Sequence, residues 1–133
     1  MQLLFYPNVA TYVRKSDINK KKEIMDNLSK ADEIILLTIY KLKDNAYGVT
    51  IRRKIEEDTK KLYGYGTLYS ALDQLLKRGC VSKTISEPLA ERGGRSRNYY
   101  KLTALGAQAL KTAKMTYNSL WQNIEESELD MVK

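Results

Sequence analysis

Across Gly79 the hydrophobic pattern of this 133-residue chain changes period, and that change constrains the fold more than any other feature in it. Upstream, in "LYGYGTLYSALDQLLKRG", Leu68, Leu72 and Leu75 fall on one side of a helix turned by about 100° per residue, flanked by Ala71 and Leu76. Ser70, Asp73 and Lys77 point the opposite way, with Tyr69 and Gln74 on the flanks of that outer face. The pattern predicts a helix that opens near Thr67 and stops at Gly79, a residue that ends helices readily. Downstream, "CVSKTISE" alternates with β-branched residues as a strand does, "PLAERGGRSR" reads as a turn, and "NYYKL" reads as a returning strand. A helix followed at once by a hairpin with a long basic tip is the result.

Two further helical patterns precede it. In "LSKADEIILLTIYKL", Ser29 stands three residues before Asp32 as a capping signal, and Ile35, Leu36, Ile39 and Leu42 have the spacing of a core-facing stripe. "KDNAYG" breaks that helix, and "VTIRRKIEEDTKK" starts another, with Val49, Ile51 and Ile55 inward and Arg52, Arg53, Glu56 and Glu57 outward. Three helices and a two-stranded hairpin over residues 28–102 predict a winged helix-turn-helix, in a fold that is mainly α with a small β-hairpin. Residues 1–27 read as an arm, partly helical or flexible, whose apolar face of Ile18, Ile24 and Met25 is thin beside the basic run from Lys20 to Lys22. Residues 103–133 read as a long C-terminal helix and an acidic tail. Apolar or small residues at 106, 110, 113, 117, 120 and 124 recur in steps of four and three, a seam that calls for another helix. Homodimerisation through Leu110, Ala113, Tyr117, Leu120, Trp121 and Ile124 is therefore expected.

Composition removes most chemistry. With no histidine and only Cys80, the chain lacks the parts of a zinc site, a Ser-His-Asp or Cys-His nucleophile and an internal disulfide, so neither a metal, a cofactor nor an enzymatic activity is expected. Cys80 itself reads as a small buried apolar residue. No apolar run approaches the roughly 20 residues of a membrane helix, and the opening "MQLLFYPNVATYV" does not read as a signal peptide, so a cytoplasmic location without membrane association is expected. The net charge of +7 points to a polyanionic partner. It is also local: residues 52–101 hold twelve Lys/Arg and six Asp/Glu, whereas residues 125–130 hold four acids and no base.

Double-stranded DNA fits this distribution. A major groove roughly 12 Å wide admits a helix whose N-terminal polar side chains reach base edges, which makes Thr67, Tyr69, Ser70 and Gln74 the candidates. Gln74 suits adenine, Thr67 and Ser70 suit bases or phosphates, and Tyr69 suits a phosphate or a thymine methyl. Tyr47, Arg52 and Lys77 are counted with them as DNA-binding candidates. In the hairpin tip, Arg92, Arg95 and Arg97 carry the planar fork that binds phosphate, and Gly93 and Gly94 let the backbone approach a duplex closely. Taken alone, the helix face would read as merely solvated; the hairpin after it favours the DNA reading. "LYGYGTLYS" lacks the Lys-Ser/Thr ending of a phosphate-binding loop, so nucleotide hydrolysis is not indicated.

Three stretches together, "AYGVTIRRKIEE", "GTLYSALDQLLKRGCV" and "GGRSRNYYKLTALGAQAL", resemble in order and spacing the PadR family of bacterial winged-helix transcriptional regulators, in its compact branch with a single C-terminal helix. The resemblance covers about residues 28–124. It implies a homodimer on a palindromic operator, usually repressing transcription, with recognition helix and wing in adjacent grooves. In some relatives a small aromatic effector releases DNA by binding between C-terminal helices, and here Tyr117 and Trp121 would be its stacking surface, although both residues read first as dimer core. Ser70 and Ser96 stand where family members commonly have proline. The other reading left open is a winged-helix module that binds an acidic protein partner and no DNA.

Overall fold

The computed structural model describes residues 2–6, 9–87, 93 and 96–133, without the side chains of 2–13 and 24–26. Strands β1 (Gln2–Tyr6) and β2 (Val9–Val13) form an antiparallel hairpin in which Gln2 faces Val13 and Tyr6 faces Val9. Helix α1 (Lys15–Asp26) follows and packs along α5 (Ala104–Trp121). The expected arm thus contains a hairpin in its first half and a helix in its second.

Helices α2 (Lys30–Leu42), α3 (Gly48–Thr59) and α4 (Tyr65–Lys77) enclose the core, with a short 3-10 turn at Lys43–Asn45 between the first two. Helix α2 begins where its capping signal stands: Asp32 N–H donates to Ser29 Oγ and Ser29 N–H donates to Asp32 Oδ2, both at 3.1 Å. These two bonds satisfy backbone donors that the first helical turn leaves open. The same Asp32 carboxylate accepts from Arg78 at 3.1 Å, and Arg78 also donates to Asn27 O at 3.0 Å, which ties the start of α2 to the end of α4. Helix α4 starts at Tyr65, a little earlier than the leucine pattern suggests, after the N-cap Gly64.

Gly79 has φ +78°, a conformation that costs a side chain strain, and there Cys80 N–H returns to Leu75 O at 2.9 Å. That bond closes α4 and turns the chain into β3 (Val81–Ile85), which pairs antiparallel with β4 (Asn98–Leu102) from Val81↔Leu102 to Ile85↔Asn98.

Ile35, Leu36 and Ile39 of α2, Ile51 and Ile55 of α3, Leu68, Leu72 and Leu75 of α4, and Cys80, Val81 and Tyr100 below them form one buried cluster. Cys80 is a free thiol with no exposed surface, and burial pushes its pKa up. Leu42 is only half-buried, and Val49, expected to face inward, is exposed, because the buried face of α3 is the one that carries Gly48, Ile51 and Ile55. Helix α5 docks through Gly106 and Ala109, both buried. It ends at Trp121, where Gln122 leaves helical geometry and Asn123 takes φ +66°. Ile124, placed on the helical seam by its spacing, therefore lies beyond the helix; asparagine tolerates this left-handed conformation, and no glycine or proline announces the stop. A four-residue helix, α6 (Glu126–Leu129), follows. No helix among the described residues is long and apolar enough to cross a membrane, and they contain no cluster of metal-ligating side chains.

Candidate nucleic-acid interface

Burying Leu68, Leu72 and Leu75 turns the other side of α4 outward, so Thr67, Tyr69, Ser70, Asp73, Gln74 and Lys77 are all exposed. That outer side has two stripes with different neighbours. Thr67, Ser70 and Gln74 line an open groove with Gly66 and Ala71, bounded by Asp32 and Arg78. Tyr65 and Tyr69, one helical turn apart, stack with ring centroids 6.1 Å apart and planes inclined by 21°. Tyr69 lies against the backbone of Gly48 at the start of α3, in the space where any Cβ at 48 would stand. Asp73 lies close enough to the buried Tyr100 that its carboxylate, after desolvation, raises the phenol's pKa.

Arg52 has work of its own inside the fold. Its Nε–H donates to Tyr63 O at 2.7 Å and its guanidinium sits 4.5 Å over the Tyr65 ring, so it braces the turn between α3 and α4. Tyr47 occupies the N-cap of α3, where its N–H donates to Thr50 Oγ1 at 3.0 Å. Its ring meets Tyr99 of β4 edge-on at 5.5 Å, and the Arg97 guanidinium lies 4.2 Å over it. Tyr99, the aromatic partner on the strand, was not singled out from the sequence. Its side chain hydrogen-bonds Arg97 and pushes that guanidinium's pKa up.

The hairpin is fixed at both ends of its ladder. Tyr100 N–H donates to Ala46 O at 2.8 Å, Lys101 pairs with Asp44 at 2.9 Å, and Ser86 and Arg97 exchange two bonds, Ser86 N–H to Arg97 O at 2.8 Å and Arg97 N–H to Ser86 Oγ at 2.9 Å. Gly93 has φ +65°. The candidates Arg92, Gly94 and Arg95 lie outside the described residues.

The C-terminal candidates separate into two groups. Leu110, Ala113 and Tyr117 face α2 and line, with Ile34, Leu37 and Tyr40, an apolar cleft of about 560 Å³. Lys30 Nζ sits 4.1 Å over the Tyr117 ring, and hydrogen bonding to Tyr117 raises the lysine's pKa. Leu120, Trp121 and Ile124 are exposed at the far end by 69%, 40% and 45%. Trp121 is not part of the cleft lining, so Tyr117 and Trp121 do not share one cavity within the protomer.

Three packed helices, the last with a polar outward face, and a hairpin bonded beside it define a winged helix-turn-helix. The model of the transcriptional regulator PadR-like family matches residues 35–112, and the chain belongs to that family, one of regulators rather than enzymes. A PadR-like transcription factor from Bacteroides fragilis is 25% identical, with 83% of this chain and 93% of that one aligned at a TM-score of 0.62. A transcriptional regulator from Clostridium thermocellum is 27% identical over 77% of this chain and 92% of its own, at a TM-score of 0.58. A PadR-like regulator from Bacillus cereus shares the fold, at 19% identity, a TM-score of 0.60 and coverage of 77% and 93%. No curated protein matches the chain.

Proposed function

We propose that the protein is a homodimeric repressor that binds a palindromic DNA operator, with α4 in a major groove and the hairpin as a wing on the adjacent backbone or minor groove. The observation that carries this reading is the exposed stripe Thr67, Ser70 and Gln74, turned outward by the buried leucines and free of hydrophobic cover, beside a hairpin whose base is bonded to the chain just ahead of α3. Gln74 reads a base, Thr67 and Ser70 meet bases or phosphates, and Lys77 meets a phosphate. Arg92 and Arg95, between the two strands in the sequence, supply the wing's phosphate contacts, and Gly94 lets the backbone close on the duplex. Neutralising phosphates releases counterions, so affinity falls steeply as salt rises.

Two protomers meet through α5, where Leu110, Ala113 and Tyr117 and the bare end at Leu120, Trp121 and Ile124 present more apolar surface than one protomer covers. A small aromatic effector suits the cleft beneath Tyr117, whose volume of about 560 Å³ is that of a ligand pocket.

A gel-shift titration against the DNA upstream of the protein's own coding sequence tests the reading. Salt-sensitive, site-selective binding is expected, with Arg92→Ala and Arg95→Ala each flattening the plot of log K against log salt by about one unit. Failure to bind any duplex at low salt, together with capture of an acidic protein through the hairpin, would replace it with the protein-binding reading.

A further inference from the structure

The hairpin has little apolar anchorage. Of β3 only Val81 is buried, and of β4 only Tyr100, so hydrophobic packing holds the end of the hairpin next to the core and leaves its outward half unsupported. The fixings at Tyr100 and Lys101 sit at that same inner end. On the outer half, Arg97, which also exchanges two bonds with Ser86, lies with Tyr99 against Tyr47 and so braces it to the body of the fold. Tyr47 belongs to neither strand: it is the N-cap of α3, and the next residue, Gly48, is the surface on which Tyr69 of α4 rests. Tyr69 stacks in turn on Tyr65, over which Arg52 lies. Two sets of cation and ring contacts, one of Arg97 and Tyr99 on Tyr47 and one of Arg52, Tyr65 and Tyr69, therefore meet across the Tyr47–Gly48 backbone at the start of α3.

We propose that Arg97, Tyr47 and Tyr69 are positioning residues that fix the angle between wing and α4, and that Arg97 serves the duplex by holding Tyr47 rather than by binding a phosphate. The proposal rests on the DNA-binding reading above, and it assigns to these three a role different from base or phosphate contact. A guanidinium stacked on one ring and hydrogen-bonded to the next has one face and part of its fork committed within the fold. Because a major-groove helix and a wing must reach their grooves together, a change in the angle between them penalises a matched site and leaves loose electrostatic association intact.

Selection from a random duplex pool with the full-length wild-type chain supplies a preferred duplex, and a scrambled duplex of equal composition serves as its control. Arg97→Ala and Tyr47→Leu are each expected to weaken the preferred duplex by about three- to tenfold while the scrambled duplex and both salt slopes stay unchanged. The double variant should lose no more than either single one, and Arg97→Lys should recover little, since an ammonium group lacks the fork that covers the Tyr47 ring and hydrogen-bonds Tyr99 at once. A salt slope flattened by about one unit in Arg97→Ala and restored in Arg97→Lys would make Arg97 a phosphate ligand and overturn the proposal. Amide hydrogen exchange on the DNA-free protein separates the two readings: faster exchange at Arg97 and Tyr100 in both variants supports the clasp, and unchanged exchange overturns it. If the wild type selects no duplex, the DNA reading falls and the exchange measurement alone decides the clasp.

Discussion

Two glycines among the described residues, Gly106 and Gly48, are sites of close approach, and they differ in what an added methyl group would meet. At Gly106 a Cβ would run into the Cys80 carbonyl and come within 2.8 Å of the Leu102 side chain. Backbone cannot swing aside, so Gly106→Ala should destabilise the fold by about 1–3 kcal/mol by lifting α5 off the start of β3. The midpoint of a urea titration checks this, and an unshifted midpoint would mean that α5 has slack. At Gly48 the obstacle is the tip of Tyr69, a side chain free to rotate outward. Gly48→Ala should therefore leave the urea midpoint nearly unchanged and displace the Tyr69 ring, which near-ultraviolet circular dichroism detects. Gln74, exposed on the groove-lining stripe of α4, is argued at this scale too: Gln74→Ala should relax choice at one base position in each half-site by about 1–3 kcal/mol. Loss of affinity for every sequence alike would take Gln74 out of base reading. Gly106 was visible in the sequence as a small residue on a seam, whereas the role of Gly48 depends on a tyrosine 21 residues away and could not be seen from spacing.

Helices α2 and α3 are joined at their far ends by a cluster of charge that belongs to neither helix alone. Asp58 accepts from Lys41 at 3.1 Å across the pair and lies 3.2 Å from Lys54 one turn back on its own helix. Hydrogen bonding to Lys41, then to Lys54, holds the Asp58 carboxyl below its usual 3.8. Because the folded value is depressed, whatever stability the cluster contributes is fully present above the unfolded carboxylate range and disappears as pH falls through the lower folded value. The expected outcome is an Asp58 titration midpoint below 3.8 by carboxyl-carbon NMR, and a smaller loss of stability below pH 4 in Asp58→Asn than in wild type. The effect is small for groups this accessible to solvent. At this scale much of the fold was legible: leucines at helical spacing, a capping pair at Ser29 and Asp32 and the stop at Gly79 are local signals, each satisfied by neighbours in sequence. What escaped were pairings across elements, such as Arg52 with Tyr65 and Arg97 with Tyr47, since a basic residue in a loop or on a helix carries no mark of the ring it will cover. The first hairpin was missed for a related reason: its two short strands, Gln2–Tyr6 and Val9–Val13, are joined through Pro7 and Asn8 without the glycine turn that usually identifies such a pair.

As a whole molecule the chain keeps its basic and its sticky surfaces apart. The positive excess lies between residues 52 and 101, on the unit that holds α3, α4 and the wing, while the exposed apolar residues Leu120, Trp121 and Ile124 close the opposite end of the chain, just ahead of four acids. Such a division suits a dimer that presents two basic heads to one duplex, because the acids beside the junction keep the polyanion away from it. Helix α5 ends at Trp121, so the contact cannot be a heptad seam continued through residue 124. In the dimer proposed here it would combine the end of the helix with the turn that follows and the cleft face of Leu110, Ala113 and Tyr117. Replacing Leu120 and Ile124 together with aspartate adds two negative charges to a junction already flanked by acids and buries no new partner for them, which is strongly unfavourable for association. Sedimentation should then report monomers with an unchanged urea midpoint at low protein concentration, because both residues are exposed in the single protomer and contribute nothing to its core. Binding to a palindromic duplex should weaken far more than binding to a single half-site, since tethering two heads supplies the effective concentration that one head lacks. Dimers that survive both aspartates would move the junction to the cleft face alone, and there Ala113→Asp would be the substitution that separates the protomers.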